Sequence, residues 1–362
     1  MNSFGSHLCL TTFGESHGPG VGCVLDGVPS GLKIDEGFMQ SELDRRRPGY
    51  TTGGTKRTEE DRAEILSGVF EGVSTGAPIA ILIRNQNAKS GDYDDLREVF
   101  RPAHADYSWF MKYGIRDHRG GGRSSARESA ARVAAGAIAK LILKEIGVTV
   151  KSGVAAIGGV ESGICDFERA ENSPIFSLDV HTQAEQIAEI EAARRDLDSI
   201  GAIVKVRAEG VPAGLGEPLY GKLDAKLAEA LMGINAVKAV EIGAGVRAAS
   251  MRGGGNNDEM SAEGFLSANA GGILGGVSSG EPIDLTVHFK PTPSIGKAQR
   301  TIDIHGNERV IEIKGRHDVC VGIRGAVVCE AMTALVIADM LLLNLSSTLD
   351  RVKTAYTRKN PL

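Results

Sequence analysis

Residues 119–146 read RGGGRSSARESAARVAAGAIAKLILKEI, a glycine-rich turn followed by the most regular helical pattern in the chain. Apolar side chains recur there at helical spacing and form one stripe, made of Val133, Ala137, Ile138, Leu141 and Ile142. Gly147 follows the stripe, as glycine often does where a helix ends. The pattern predicts a helix over residues 125–146 with one face packed against the core.

A second apolar stretch, residues 326–343, reads AVVCEAMTALVIADMLLL and predicts a helix over about 325–345. It includes Glu330 and Asp339, and because a charge inside a membrane span is costly, a buried helix is the better interpretation. A Gly-Arg pair precedes this helix at 315–316, as another precedes the first helix at 122–123. Two similar halves that share one site would explain this repeated pattern, and so would chance.

Strands and helices are predicted along the rest of the chain, with no Pro- or Ser-rich linker between them. The predicted strands cover residues 8–13, 22–28, 64–84 (as two strands), 148–160, 202–211, 237–246 and 283–290. The other predicted helices cover residues 35–47, with Asp35 as N-cap, 184–199 and 223–232. The mixture predicts an α+β protein in which residues 1–362 form a single domain.

Composition limits the classes of function. Among 362 residues, 42% are hydrophobic and 24% are charged, which is ordinary for a globular protein. The net charge of -5 argues against general binding of nucleic acid or anionic membranes, so any bound anion must be held by local clusters of Arg, Lys or backbone N–H groups. The five scattered cysteines and the absence of a signal-peptide pattern predict reduced thiols in a cytoplasmic protein.

The N-terminal loop at 14–20, GESHGPG, places His17 among glycines after a predicted strand. An imidazole titrates near neutral pH, so His17 is a candidate to donate a proton to a leaving group or to accept one. Taken alone, a histidine in a loop is more often a surface residue or a hydrogen-bonded anchor, and both interpretations stay open at this point.

Arginines cluster at the end of the helix predicted over 35–47, where residues 44–49 read DRRRPG. Guanidinium groups bind phosphate and carboxylate with two parallel hydrogen bonds, so Arg45 and Arg46 are candidate anion ligands. The alternative is a solvated basic helix end favoured by the helix dipole, which is the better interpretation for Arg47.

A second histidine, His104, lies between Arg101 and Asp106 in the stretch RPAHAD. The carboxylate of Asp106 is placed to orient or charge the imidazole. Metal ligation is the alternative, but no third or fourth ligand stands at a recognisable spacing, so no metal site is predicted.

Several glycine-rich loops offer further donors for an anion. The first, residues 119–125, would present backbone N–H groups, two hydroxyls and a helix N-terminus, although a simple serine N-cap is the alternative. Residues 253–258, 271–276 and 290–294 have the same polar, glycine- or proline-rich character, and each alone is also compatible with a turn. The chain has neither a dinucleotide fingerprint nor a nucleophile elbow.

Taken in order, these stretches resemble the chorismate synthase family over essentially the whole chain. The segments that carry the resemblance are residues 14–18 with 26–29, 44–49, 101–106, 123–129, 235–238, 290–294, and 315–318 leading to 330–332. Members of the family convert 5-enolpyruvylshikimate 3-phosphate into chorismate by an anti-1,4-elimination of phosphate, the last common step of the shikimate pathway. The resemblance implies reduced FMN as cofactor, which lends an electron without net redox change.

The resemblance also implies roles for individual residues. His17 would protonate the departing phosphate, His104 would stand near the flavin, and Asp318 would help to remove the ring hydrogen. The implied catalytic set is His17, His104, Asp318, Ser16 and Ser125. The implied FMN contacts are Arg123, Ser124, Ser125, Asn235, Ala236, Gly275, Lys290, Pro291, Thr292, Pro293, Ser294 and Arg316. The implied substrate contacts are Arg45, Arg46, Arg101, Arg127 and Arg324.

The family's fold implies helices sandwiched between antiparallel β-sheets, with internal pseudo-symmetry and assembly as a homotetramer. One departure is visible, because many members carry an additional arginine shortly after the stretch 44–49, and Lys56 or Arg57 is the candidate replacement here. Two rival functions remain. One is a bifunctional form that also reduces its own FMN with NADPH, and the other is a non-enzymatic anion-binding scaffold.

Overall fold

Strands and helices alternate along residues 1–47, 60–86, 96–313 and 317–357, the part of the chain that this computed structural model describes. The strands are β1 Ser3–Phe4, β2 Cys9–Gly14, β3 Gly20–Asp26, β4 Ala63–Ile65, β5 Val69–Phe70, β6 Val73–Ser74, β7 Ile79–Arg84, β8 Thr149–Ile157, β9 Val160–Glu161, β10 Ala202–Glu209, β11 Val237–Ile242, β12 Met260–Ser261, β13 Gly264–Phe265, β14 Ile273–Leu274, β15 Val277–Ser278, β16 Ile283–Phe289, β17 Gln299–Ile302 and β18 Glu308–Ile311. The helices are α1 Glu36–Arg46, α2 Asp106–Tyr113, α3 Ser129–Lys144, α4 Phe167–Ala170, α5 Gln183–Arg195, α6 Leu223–Met232, α7 Gly253–Asn256, α8 Gly322–Leu343 and α9 Leu349–Thr357.

Two antiparallel five-stranded sheets form the outer layers. The first has the strand order β1-β2-β3-β7-β4, and the second has the order β11-β16-β10-β8-β9. Alternation of buried and half-buried residues along β16 and β10 shows that one face of the second sheet packs inward. Helices α3 and α8 pack on each other between the sheets, with α3 against β3 and β7, and α8 against β8 and β10. The predicted α+β sandwich is therefore confirmed.

The two halves share one topology. In chain order, the main elements of the first half are β2, β3, α1, β4, β7 and α3, and those of the second are β8, β10, α6, β11, β16 and α8. In both halves the strands lie side by side in the order first, second, fourth, third. The predicted pseudo-symmetry is thus a repeated β-β-α-β-β-α unit, and each unit ends in one of the two central helices.

The centre of the molecule depends on a close crossing of α3 and α8. An added Cβ at Gly136 would lie 2.4 Å from the Cβ of Ala331, far inside van der Waals contact. Both helices carry small residues at this height, including Ala135 and Ala334, which are fully buried. The first turn of α8 lies near the 3₁₀ turn before α3, because Arg324 in the former interacts electrostatically with Arg127 in the latter.

The helix predicted over 125–146 begins later than the pattern indicated. Residues Gly122–Ser124 and Ala126–Glu128 form two separate 3₁₀ turns, and the α-helix starts only at Ser129. The break has a local cause, because Ser125 has an extended backbone and its hydroxyl accepts a hydrogen bond from the N–H of Arg127. The N-cap at Asp35 was predicted correctly, and its carboxylate accepts from Phe38 N at 2.9 Å.

Helix α8 is long and apolar enough to span a membrane, but 89% of its most apolar window is buried inside the protein. Its two acids are both paired. Asp339 accepts hydrogen bonds from three consecutive backbone N–H groups, those of Ser6, His7 and Leu8. The prediction of a buried core helix is confirmed.

Candidate active site

A turn of three glycines at 120–122 forms the middle of the candidate site. All three have positive φ, at 62°, 85° and 53°, a region that side chains rarely adopt. Each position also lies against a different side chain. An added Cβ would lie 2.1 Å from Cε1 of His17 at Gly120, 2.9 Å from Cε1 of His104 at Gly121, and 2.4 Å from Oε2 of Glu15 at Gly122. The turn therefore brings the two predicted histidines to one place, and only glycine fits there.

The loop that carries His17 connects β2 to β3 and is held at several points. Ser16, which is buried, places its Oγ 3.0 Å from Nδ1 of His17 and 3.5 Å from the carbonyl oxygen of Gly120. Asn85 donates from Nδ2 to the carbonyls of Glu15 at 2.9 Å and Gly18 at 2.8 Å. These contacts fix the position of the imidazole before any ligand binds.

His104 lies in a cluster of charges around Asp106, the first residue of α2. Arg101 donates from Nε and Nη2 to the two carboxylate oxygens at 2.7 and 2.9 Å. The Nδ1 of His104 lies 3.0 Å from Oδ1 of Asp106. Burial lowers the pKa of His104, and Arg101 and Lys290 lower it further, while Asp106 opposes them. The imidazole is therefore neutral at pH 7.

Two of the predicted substrate arginines meet at one buried acid, Asp61. Arg46 and Arg127 each donate to a different oxygen of this carboxylate, and the side chains of Arg46 and Asp61 are completely buried. Burial alone would raise the pKa of Asp61, but the two guanidinium groups outweigh it and hold the pKa below its usual value. The trio carries one net positive charge.

A third arginine, Arg324, lies in the first turn of α8 and pairs with Asp318 at 3.1 Å. Burial lowers the pKa of Arg324, although Asp318 opposes this. Arg46 and Arg127 are close enough to lower the pKa further, while Asp61 raises it. Its buried Nε has no hydrogen-bond partner in the part of the chain that the structure describes. Such a donor is the kind of group that an anionic ligand satisfies.

His317, next to Asp318, has a buried Nε2 that also has no hydrogen-bond partner within the described residues. Burial lowers its pKa to about 4, and Arg101 adds to this effect, so the ring is neutral at pH 7. His104 and Asp318 also act on it electrostatically. The sequence singled out the stretch around His317 but did not give this side chain a role.

Arg45 points into a different network, made of Glu42, Arg45, Lys140, Ser152 and Glu330, which we call the Glu330 network. Arg45 donates to Glu42 at 2.6 Å and to both oxygens of Glu330 at 3.1 Å. Lys140 also donates to both acids, and Ser152 donates to Glu330 at 2.9 Å. Glu42 and Glu330 thus bind the guanidinium of Arg45, for which the family resemblance implied a contact with the substrate.

The predicted cofactor contacts that lie close to the glycine turn come from several elements. Arg123 donates to Thr12 Oγ1 at 2.7 Å, and Asn235 donates to the carbonyl of Ser124 at 3.2 Å. Lys290 donates to the carbonyl of Ala103 at 2.6 Å, next to His104. These residues therefore surround the same turn as the two histidines.

The other predicted cofactor contacts are less connected. Four of them form the run Pro291, Thr292, Pro293 and Ser294. In this run the hydroxyl of Thr292 is buried with no hydrogen-bond partner among the described residues, and Ser294 is buried as well. Ala236 has a positive φ of 73° and accepts a backbone hydrogen bond from Lys290. A Cβ at Gly275 would meet nothing within 4 Å. Arg316, Lys56 and Arg57 lie outside the described residues.

Sequence reasoning missed Asp61 and Asn85. Nothing in the residues around Asp61 separates it from the neighbouring acids, because its partners come from α1 and from the 3₁₀ turn before α3. Asn85 carried a weak signal, since it is a polar residue directly after the most strongly predicted strand, β7. Together the site holds two histidine-bearing clusters, at least three buried guanidiniums and the unsatisfied buried donors named above, which suits proton transfer at a bound polyanion.

Comparisons with known proteins point to one family. A profile of the family described as chorismate synthase matches residues 8–342. Proteins named chorismate synthase from Sulfurovum sp. (strain NBC37-1) and Campylobacter concisus (strain 13826) are 58% and 59% identical, and both alignments cover 98% of this chain and 100% of the relative. A crystal structure of a chorismate synthase has a TM-score of 0.75 and 32% identity, covering 98% of this chain and 97% of that one.

Proposed function

The chain belongs to the chorismate synthase family and is a lyase, and from this premise we propose its reaction in detail. The substrate is 5-enolpyruvylshikimate 3-phosphate, and an anti-1,4-elimination releases phosphate and gives chorismate, the last common step of the shikimate pathway. Reduced FMN is the cofactor. One observation carries the proposal: the glycine turn at 120–122 places His17 and His104 together beside buried arginines.

The substrate carries a phosphate and two carboxylates, so its site must supply several cations. Arg46, Arg127, Arg324 and Arg101 are buried or nearly so, and a buried guanidinium binds an anion far more strongly than a solvated one. Around Arg45 the two acids Glu42 and Glu330 balance the charges of Arg45 and Lys140, whereas Asp61 leaves one positive charge on its two arginines. We therefore assign Arg45 to holding α1 in place, next to Arg46, instead of contacting the substrate.

Two features of the site fit FMN. A Cβ at Gly275 would meet nothing within 4 Å, and the buried hydroxyl of Thr292 lacks a partner in the described ranges. The residues that would hold FMN are Arg123, Ser124, Ser125, Asn235, Ala236, Gly275, the run 290–294 and Arg316. When bound there, reduced FMN would supply the transient electron that the loss of phosphate requires, with no net redox change overall.

The protein's own groups manage the protons. His17, whose ring is oriented by Ser16, donates a proton to the departing phosphate. His104 is neutral at pH 7 because of its burial, so it accepts or passes on a proton beside Lys290. Asp318, which pairs with the buried Arg324, helps to remove the ring hydrogen of the substrate. Ser125 starts the 3₁₀ turn that positions Arg127.

The deciding experiment measures phosphate release from the enolpyruvyl substrate without air. Reduced FMN should support turnover, and oxidised FMN should not. If phosphate appears at equal rates with both forms, or with neither, the proposed reaction is wrong. A third sample, with NADPH in place of a chemical reductant, tests the bifunctional form, because only that form bleaches the flavin absorbance with NADPH.

We further propose a cytoplasmic homotetramer in which each chain is one domain. Several large apolar side chains on the surface, among them Phe70, Val246, Met260 and Leu266, are more than 60% exposed in the single chain. Sedimentation equilibrium should give a mass four times that of the 38.1 kDa chain. If the measured mass at micromolar protein concentration is that of a single chain, the proposed tetramer is wrong, but the proposed reaction is unaffected.

A further inference from the structure

Asn85 joins two parts of the candidate site that are far apart in sequence. Its Nδ2 donates to the carbonyls of Glu15 and Gly18, on either side of His17, at 2.9 and 2.8 Å. Its Oδ1 accepts from Nε of Arg127 at 2.9 Å. The amide nitrogen and the amide oxygen of Asn85 are therefore both used. A flipped amide would place its oxygen against the two carbonyls and its NH₂ against the guanidinium, so it is excluded.

The backbone around Asn85 strengthens the connection. Asn85 follows β7, and because β7 pairs with β3, its N–H donates to the carbonyl of Pro19 at 3.1 Å in the same loop. The preceding residue, Arg84, accepts at its carbonyl from Nη2 of Arg127 at 3.3 Å. The end of one strand thus contacts both the loop that carries His17 and the guanidinium of Arg127.

The far side of Arg127 is fixed as well. Its Nη1 donates to Asp61, whose other oxygen accepts from Arg46, so two arginines are held side by side by one fully buried carboxylate. Asp61 has a positive φ of 48°, a conformation that costs energy outside glycine and is kept here by the two ion pairs. The contacts run without a break from Arg46 through Asp61, Arg127 and Asn85 to the loop at 15–18.

We propose that Asn85 is a positioning residue that sets the distance between the proton donor His17 and the phosphate-binding Arg127. The inference rests on the proposed function, in which His17 protonates the phosphate that the arginines hold. Proton transfer needs donor and acceptor within hydrogen-bond reach, so a small displacement of the loop lowers the rate even when the substrate binds normally. Asn85 touches neither the substrate nor FMN in this assignment.

The variants Asn85→Asp and Asn85→Ala separate the two contacts. Asn85→Asp keeps an acceptor for Arg127 but places a carboxylate oxygen against the loop carbonyls, so kcat should fall about 10-fold or more while KM for the substrate stays within about twofold. Asn85→Ala removes both contacts, so kcat should fall and KM should rise. Asn172→Asp, at an exposed position after α4, adds the same charge and should behave like the wild type.

A double-mutant cycle with His17→Ala distinguishes positioning from general damage. If Asn85 acts through His17, Asn85→Asp should lower kcat by less than about twofold in the His17→Ala background. Losses that multiply in the double variant would overturn the proposal, and so would wild-type kcat in Asn85→Asp. If Asn85→Asp does not fold, as judged by circular dichroism, the same cycle is run with Asn85→Ala and judged by the same criterion. Absence of turnover in the wild type would instead refute the proposed function.

Discussion

At the scale of single residues, burial decides which groups are charged when a substrate arrives. His104 and His317 both have lowered pKa values, because each is buried beside Arg101, and both rings are neutral at pH 7. Asp61 and Asp106 have lowered pKa values because guanidinium groups contact them, so both stay ionised. The site therefore meets its anionic ligand with its arginines charged and these two imidazoles neutral.

Replacing His17 tests the proposed proton donor. His17→Ala should lower kcat by about 10²-fold, the usual loss when a general acid is removed, while FMN binding stays largely intact. Single-turnover phosphate release and flavin titration measure the two effects. Turnover close to that of the wild type would remove His17 from the mechanism and leave this loop with a role in anion binding alone.

Asp318→Asn keeps the shape of the side chain and removes its charge. We expect kcat to fall about 10²-fold while the affinity for the anionic substrate is retained, because Arg324 then lacks its counter-charge and still attracts the ligand. Isothermal titration of the substrate and a rate assay give the two values. Loss of all FMN affinity in this variant would show that Asp318 has a structural role instead.

At the scale of elements, the two central helices approach each other closely through small residues, and the Lys140–Glu330 ion pair also joins them. Gly136 of α3 lies against Ala331 of α8, so that even one methyl group at this position would collide with backbone and side-chain atoms. Helix propensity alone would favour alanine here by about 1 kcal/mol. The packing therefore outweighs an intrinsic preference, as expected where two helices meet in a filled core.

The substitution Gly136→Ala tests this crossing. We expect it to lower the free energy of unfolding by about 1–3 kcal/mol, because overpacking displaces α3 or α8. Gly254→Ala is the matched control, since an added Cβ there meets nothing within 4 Å. Urea denaturation followed by circular dichroism measures both variants, and equal or greater stability for Gly136→Ala would mean that the helices can separate at no cost.

At the scale of the whole molecule, the Glu330 network connects the two halves. Glu42 and Arg45 belong to α1 and Lys140 to α3 of the first half, whereas Ser152 and Glu330 belong to β8 and α8 of the second. Burial would raise the pKa of Glu330, but Lys140 and Arg45 outweigh it and lower the pKa to about 2. The carboxylate is therefore ionised in the folded protein throughout the neutral and mildly acidic range.

This lowered pKa predicts how stability depends on pH. A glutamate has a pKa of about 4.3 in the unfolded chain, so Glu330 stabilises the fold above that pH, and the contribution is lost as pH falls towards 2. Glu330→Gln should lower the free energy of unfolding at pH 7 by about 3–5 kcal/mol, because two buried cations, Arg45 and Lys140, are left with Glu42 as the acid that they share. The gap between the variant and the wild type should narrow between about pH 4.5 and pH 2.

Urea unfolding at several pH values provides the measurement, with Glu308→Gln, at an exposed position in β18, as the control. The control should follow the wild type at every pH. If the gap between Glu330→Gln and the wild type has the same size at neutral pH and at about pH 2.5, the ionisation of Glu330 does not contribute to stability, and the network acts only through packing.

The sequence alone determined the features that depend on neighbouring residues. Hydrophobic periodicity predicted α6 and the body of α3 and α8, and the N-cap at Asp35 and the strand Ile79–Arg84 were also predicted from local patterns. These succeed because helical and extended backbones place side chains at fixed intervals along the chain. The motifs also led to His17, His104 and Arg127, because their residue types and spacing resemble a known family.

Only the tertiary structure decided which charges meet. Asp61 and Arg127 are 66 positions apart, Asn85 and Arg127 are 42 apart, and Arg45 and Glu330 are 285 apart. No local pattern records such pairs, because a long side chain at a helix end has several possible partners until the sheets and helices have packed. Arg45 and Arg46 are adjacent in the sequence, but in the folded protein Arg46 lies beside Arg127 whereas Arg45 binds Glu330.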